Sequence, residues 1–219
     1  MDAMNLDVAS ALRKHRIIAI LRNIRHGQAM PVVQALYQGG VRLLEITFDQ
    51  AHPESGSDTG RVIAEIAAAL PGKVLVGAGT VIAEEQCRIA ADNGARFVLA
   101  PNIDPTVIET ACELGMVAIP GAMSPTEIVY AHQLGAGVVK LFPAGSLGVE
   151  YIKAVRAPIS HVPLLAVGGV TESNLRAFLE AGVAGVGVGA NMVNPELIAR
   201  EAYPELALLA ARFTAQATL

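Results

Sequence analysis

The chain has 219 residues, 53% of them hydrophobic and 16% charged, with a net charge of −4 and no tryptophan. It is too apolar to remain disordered, and it has no block of Lys and Arg that would suit nucleic acid. Met1-Asp2-Ala3-Met4-Asn5 lacks the basic-then-apolar pattern of a signal peptide, and Gly, Pro or charge interrupts each apolar run before it reaches membrane-spanning length. We therefore expect a cytoplasmic protein with neither membrane nor nucleic-acid partners.

In chain order, one unit recurs at about twenty to thirty residues, the length of a strand plus a helix. A first helix, around Val8 to Lys14, precedes the strand Ile17–Leu21, with Arg22 at its end. A helix over Gln28–Gln38 is stopped by Gly39-Gly40, and Leu43-Leu44-Glu45-Ile46-Thr47 is the second strand. Asp49 to Thr59 is a loop rich in Pro, Gly, Ser and Asp, and a helix follows from Gly60 to Leu70. The third strand, Val74-Leu75-Val76, runs into Gly77-Ala78-Gly79-Thr80.

A helix over Ala83–Asp92 leads to the fourth strand, Phe97–Ala100, closed by Pro101. A helix over Pro105–Leu114 leads to the fifth, Val117–Ile119, closed by Pro120-Gly121. Ser124-Pro125-Thr126-Glu127 is a capping box with proline at the first helical position. The sixth strand contains Val138-Val139-Lys140-Leu141-Phe142, and the seventh is Leu164–Val167 before Gly168-Gly169. Thr171–Asn174 opens a helix stopped at Gly182, Gly185–Val188 is the eighth strand, and a C-terminal helix starts near Pro195.

Eight strands that are apolar on both faces, each followed by a helix, imply a closed parallel (β/α)8 TIM barrel with an extra N-terminal helix. At 219 residues the chain is short for a fold that takes about 250 and goes down to about 200. An open doubly wound sheet would carry its Gly-rich fingerprint after the first strand, and that corner has none. No linker or shift in composition divides residues 1–219, so one domain is expected.

In this fold the chemistry belongs at the C-terminal ends of the strands. Arg22, Glu45, Thr47, Thr80 and Lys140 fall there. Lys140 is a charged amine in an apolar run. Either its long stem carries the ammonium to solvent, or burial lowers its pKa and makes it a nucleophile able to form a Schiff base. Glu45 interrupts a second apolar run, and reads as a structural ion-pair partner or as a general acid/base. Gly168-Gly169 and Gly187-Val188-Gly189 follow the seventh and eighth strands, where many barrels cradle phosphate on backbone N–H groups; simple tight turns are the other reading. The histidines, at 15, 26, 52, 132 and 161, form no pair at ligand spacing, so no metal site is expected. Cys87 and Cys112 form no redox or metal motif and read as reduced structural residues.

Six stretches in this order and spacing resemble one family. They are Ile18-Ala19-Ile20-Leu21-Arg22, Leu44-Glu45-Ile46-Thr47, Gly77-Ala78-Gly79-Thr80-Val81, Ile119-Pro120-Gly121-Ala122, Val139-Lys140-Leu141-Phe142-Pro143-Ala144 and Val167-Gly168-Gly169-Val170. The chain resembles the bacterial 2-keto-3-deoxy-6-phosphogluconate (KDPG) aldolases, with their 6-phosphogalactonate (KDPGal) and 4-hydroxy-2-oxoglutarate branches, over nearly its whole length. That resemblance implies a class I aldolase without metal or other cofactor, commonly a homotrimer, releasing pyruvate and an aldehyde. It makes Lys140 the Schiff-base lysine, Glu45 the general acid/base, Thr80 a contact to the pyruvoyl carboxylate and Arg22 a substrate-binding arginine. Pro101 and Phe142 become pocket walls, and Gly168, Gly169 and Gly189 the phosphate cradle.

Two positions depart from the family pattern. Asp49 stands where an arginine is found, and Ala190 where many members have a phosphate-donating serine. If β-structure continued to Asp49, its charge would lie near Glu45 and raise that residue's pKa; if the chain turns at Phe48, Asp49 caps the loop. Two other classes stay open at this point: a phosphate-binding isomerase or synthase without imine chemistry, and a non-catalytic ligand-binding barrel.

Overall fold

The computed structural model describes residues 8–218; the Met1–Asn5 stretch lies outside them. Parallel strands alternate with helices throughout, as the sequence periodicity implies. Helix α1 (Val8–His15) leads into β1 (Ile17–Leu21), α2 (His26–Gln38), β2 (Leu43–Thr47), α3 (Gly56–Ala69) and β3 (Leu75–Gly79). Then come α4 (Glu84–Asp92), β4 (Phe97–Leu99), α5 (Pro105–Glu113), β5 (Val117–Ile119), β6 (Gly121–Ala122), α6 (Pro125–Gln133) and β7 (Val139–Leu141). The chain ends with α7 (Ala144–Arg156), β8 (Leu164–Val167), α8 (Leu175–Glu180), β9 (Gly185–Val188), α9 (Pro195–Ala199) and α10 (Tyr203–Ala217). None of the helices among the described residues is long and apolar enough to cross a membrane.

The strand order is β5-β4-β3-β2-β1-β9-β8-β7-β6, so its two ends are consecutive in sequence and separated only by Pro120. β5 and β6 are one barrel strand interrupted by that proline. On one side Ala100 N donates to Ile119 O at 3.2 Å; on the other Lys140 N donates to Pro120 O at 2.9 Å. The cylinder is closed, and the eight-stranded barrel with its extra N-terminal helix is the observed fold.

Strands buried on both faces serve two cores. Ile17, Ala19, Leu21, Leu44 and Ile46 face outward into the layer under the helices. Ile18, Ile20, Leu43, Leu75, Phe97 and Leu99 fill the interior together with Val8, Ala11 and Leu12 of α1. The first helix therefore stoppers the N-terminal mouth. A glycine makes room for it, since a Cβ at Gly185 would stand 2.6 Å from Leu12 Cδ1. Leu12 is fully buried there, and truncating such a leucine to alanine costs about 2–5 kcal/mol.

Several boundaries differ from the sequence expectation for local reasons. β3 runs on through Gly77 and Gly79, because small residues are what the crowded interior accepts at those two places. α3 starts at Gly56 rather than Gly60, entered through a 3-10 turn at Pro53–Ser55. Asn174 accepts from Thr171 N at 2.8 Å, so Thr171–Asn174 forms a turn and α8 begins only at Leu175. The single C-terminal helix is two, α9 and α10, broken near Glu201 at φ 53°. The capping box is present: Ser124 Oγ accepts from Glu127 N, and Glu127 Oε2 accepts from Ser124 N at 2.7 Å. Cys87 is buried, whereas Cys112 is exposed on α5, and both are free thiols.

Candidate active site

The interior parity that carries Ile18 and Ile20 in β1 also carries Leu43, Glu45 and Thr47 in β2, and Val138 and Lys140 at β7. Glu45 is in register with Ile20 and Gly77, and Lys140 with Gly121 and Leu165. Both charged residues therefore point into the barrel above its apolar filling. Glu45 is 1% and Lys140 5% exposed, which removes the reading in which the lysine stem carries its charge to solvent.

Burial raises the Glu45 pKa, and the nearby cations of Lys140 and Arg22 only partly oppose it. Burial lowers the Lys140 pKa; the Glu45 carboxylate opposes that shift, and the Arg22 guanidinium adds to it. Both groups are thus biased towards their neutral forms. They feel each other's field, yet none of the ion pairs among the described residues joins them. Glu45 Oε2 is buried without a hydrogen-bond partner. An orphaned carboxylate oxygen is expensive in a finished core and reasonable in a site that receives a ligand.

The wall around this pair is built from backbone and aromatic surface. The Phe142 ring centroid lies 4.9 Å from Lys140 Nζ. Beneath the ring sits Gly168, where a Cβ would approach Phe142 to 3.1 Å and where φ is +88°. Gly169 follows at φ +73°. Phe142, Gly168, Gly169, Gly189, Ala190 and Arg22 line one cavity of about 190 Å³. Around Gly189 the space for a side chain is open, so its glycine leaves room rather than relieving strain.

A second cavity of about 380 Å³ shares Ile20, Arg22 and Ala190 with the first and extends over Ile24, Val193 and Ile198. The sequence held no sign of it. Arg22 stands exposed at the end of β1 between the two, and among the described residues its guanidinium has no hydrogen bond or ion pair.

The remaining expected residues are placed as follows. Thr80 caps β3 with φ +57°, next to the glycine that borders Glu45. Thr47 is buried, and its hydroxyl donates to Leu21 O at 3.3 Å, tying β2 to β1. Pro101 is exposed at the end of β4, with its carbonyl against Gly121.

Asp49 does not join the site's charges. β2 ends at Thr47, and the Asp49 carboxylate accepts from Ala51 N at 2.9 Å and contacts His52 Nδ1 at 3.0 Å. The reading in which Asp49 raises the Glu45 pKa is overturned: burial is the cause, and the charged contributors are Lys140 and Arg22. No group of three or more His, Cys, Asp or Glu among the described residues could hold a metal. His132 and His161 instead pack edge to face, with centroids 5.5 Å apart.

Gly79 and Gln50 were not singled out from the sequence. The Gly77-Ala78-Gly79-Thr80 run was a visible signal for the first. Nothing local marked the second, whose side chain reaches Thr80 from another loop.

Comparison with known proteins places the chain in one family. The family model described as KDPG and KHG aldolase covers residues 8–209. The chain is 37% identical to the 2-dehydro-3-deoxy-6-phosphogalactonate aldolase of Escherichia coli (strain K12), over 80% of this chain and 83% of that one. It is 36% identical to the probable enzyme of that name from Rhizobium meliloti (strain 1021), over 84% of each. A solved structure described as native KDPGal superposes with a TM-score of 0.81 at 35% identity, covering 92% of this chain and 93% of that one. The chain belongs to the KDPG and KHG aldolase family, and is an aldolase, a carbon–carbon lyase, on a (β/α)8 barrel.

Proposed function

We propose that the protein is a class I aldolase that cleaves a 2-keto-3-deoxy sugar acid, phosphorylated or not, or 4-hydroxy-2-oxoglutarate. The products are pyruvate and an aldehyde such as glyceraldehyde 3-phosphate or glyoxylate. The observation that carries this reading is the pair of interior charges, Lys140 and Glu45, both buried and without an ion pair between them.

The amine of Lys140, with its basicity lowered by burial, attacks the C2 carbonyl carbon. The carbinolamine loses its oxygen as water and becomes a protonated imine. Glu45 takes the proton of the C4 hydroxyl, directly or through a water. The C3–C4 bond breaks, its electron pair flows towards the iminium nitrogen, and the C4 fragment leaves as the aldehyde. Glu45 returns the proton to C3 of the enamine. Water then hydrolyses the imine, releasing pyruvate and the free lysine.

Burial raises the Glu45 pKa, which makes its carboxylate a stronger base than an exposed one while leaving the protonated carboxyl able to return the proton. Thr80 and Arg22 serve the substrate's carboxylate, and Phe142 and Pro101 wall the pocket. Thr47 supports β2 beside Glu45. Gly168, Gly169 and Gly189, with Ala190, receive the far end of the substrate; two positive-φ glycines beside an open cavity suit an anion held by backbone N–H groups. The mechanism as drawn calls on no metal or cofactor. The isomerase and binding-protein readings give Lys140 no work and fall outside the family.

We also infer a cytoplasmic homotrimer. The oligomer is supported by a 34% identical chain used in a protein cage designed by fusing symmetric oligomeric domains, and the location by the two unpaired thiols, Cys87 and Cys112. Incubation with saturating pyruvate and borohydride should add one stable mass on Lys140. Absence of that adduct from the wild type would remove the imine mechanism.

A further inference from the structure

Thr80 is strained. Its φ of +57° lies in the left-handed region, which a β-branched residue enters only when its surroundings hold it there. The holding group comes from another loop. Gln50 Nε2 donates to Thr80 O at 2.6 Å. Gln50 is held in turn: its Oε1 accepts from Gln86 Nε2 at 3.1 Å, and Gln86 Oε1 accepts from Ile82 N at 2.8 Å.

The chain of bonds has only one consistent sense. Ile82 N–H can only donate and Thr80 C=O can only accept, which fixes the orientation of both amides between them. Asp49, next to Gln50, secures the turn through Ala51 N and His52. Thr80's own hydroxyl makes no hydrogen bond among the described residues. It is left for a ligand, one residue beyond the glycine that abuts Glu45.

We infer that Gln50 is a positioning residue: with Gln86 behind it, it clamps the Thr80 carbonyl and so presents the Thr80 hydroxyl to the keto-acid carboxylate. The loop that lacks the family's arginine therefore still serves the substrate, through the backbone of its neighbour rather than by direct contact. The inference rests on the reading of Thr80 as the carboxylate contact in a Schiff-base aldolase. It also specifies an energetic purpose: Gln50 is needed because Thr80 resists the conformation.

The test is a double-mutant cycle on the full chain, read as the pyruvate concentration that half-saturates borohydride trapping on Lys140, which needs no turnover. Gln50→Ala should raise that concentration about 10-fold, with the maximal extent of trapping and the melting temperature unchanged. Glycine adopts positive φ without penalty. Thr80→Gly removes the strained side chain and its hydroxyl together, so in that background Gln50→Ala should shift half-saturation by less than about twofold if it acts through Thr80.

An unchanged half-saturation in the single variant overturns the inference. So does an equal shift in both backgrounds, which would mean that Gln50 acts on something other than Thr80. If the wild type forms no adduct with pyruvate, the aldolase reading itself fails and this inference falls with it.

Discussion

The Glu45 carboxylate lies against the Cα of Gly79, with no room for a side chain between them: a Cβ at Gly79 would overlap Oε1, Cδ and Cγ of Glu45. The acid is located by the absence of one methyl group on the neighbouring strand. Gly79→Ala should drive the carboxylate off its position. Overpacking of this kind costs about 1–3 kcal/mol in stability, and displacing a reacting group by an ångström costs about 100-fold in rate. We expect a modest fall in melting temperature and a disproportionate fall in kcat. A variant as active as the wild type would show that Glu45 has freedom the packing denies.

Lys140 should be separable from the fold. Replacing a buried charge by an apolar side chain of similar length is often neutral, or stabilising by about 1–4 kcal/mol. Lys140→Met should melt at or above the wild-type temperature, give no borohydride adduct with pyruvate and show no turnover. A variant that unfolds would make Lys140 a structural residue. One that keeps turnover would move the nucleophile elsewhere.

The two buried groups give stability opposite slopes with pH. Burial holds the Glu45 pKa above its usual 4.5. Between 4.5 and the raised value the folded chain keeps a proton that the unfolded chain has lost. The stability due to that proton is complete below 4.5 and is lost as pH rises through the folded value. Lys140 is held below its usual 10.5. Between the lowered value and 10.5 the unfolded chain binds the extra proton, so stability grows as pH rises through that window. Glu45→Gln should flatten the acid-side decline and Lys140→Met the alkaline-side gain. Melting temperatures of the three proteins across both windows check this; parallel curves would contradict it.

Ala190 offers a test of substrate choice. It lines the cavity of Gly168, Gly169 and Gly189 with a methyl group where a hydroxyl would donate to an anion. A hydrogen bond to a charged acceptor contributes about 1.5–3 kcal/mol. Ala190→Ser should therefore raise kcat/KM for 2-keto-3-deoxy-6-phosphogluconate at least about tenfold relative to 4-hydroxy-2-oxoglutarate. An unchanged ratio would place the phosphate, or the substrate's distal end, elsewhere.

Lys140 and Glu45 were legible in the sequence because each is a charge inside an apolar run, and burial makes such a charge anomalous whatever surrounds it. The barrel was legible because its strands are apolar on both faces and alternate with helices. That same uniformity concealed which face of each strand turns inward. The fit of Glu45 to Gly79 and the bond from Gln50 to Thr80 depend on the path of separate segments, Gln50 and Thr80 standing 30 positions apart. The role of Asp49 turned on where β2 stops, which propensity does not decide to one residue. The cavity of about 380 Å³ is bounded by parts of β1, the corner after it and α9, and no stretch of sequence encloses it.

The closing of the cylinder at Pro120 has a consequence for how reactivity arises. Proline has no N–H, so at that residue the seam is joined through its carbonyl, and the amide that reaches across to it belongs to Lys140. The residue that the proposed mechanism makes the nucleophile is thus also a stitch in the last joint of the wall. Until that joint forms, its side chain is an ordinary hydrated ammonium with little tendency to attack a carbonyl. Folding supplies the burial that lowers the pKa of this amine, so under the proposed mechanism a nascent or partly opened chain would meet keto acids and aldehydes with a less reactive lysine than the finished barrel.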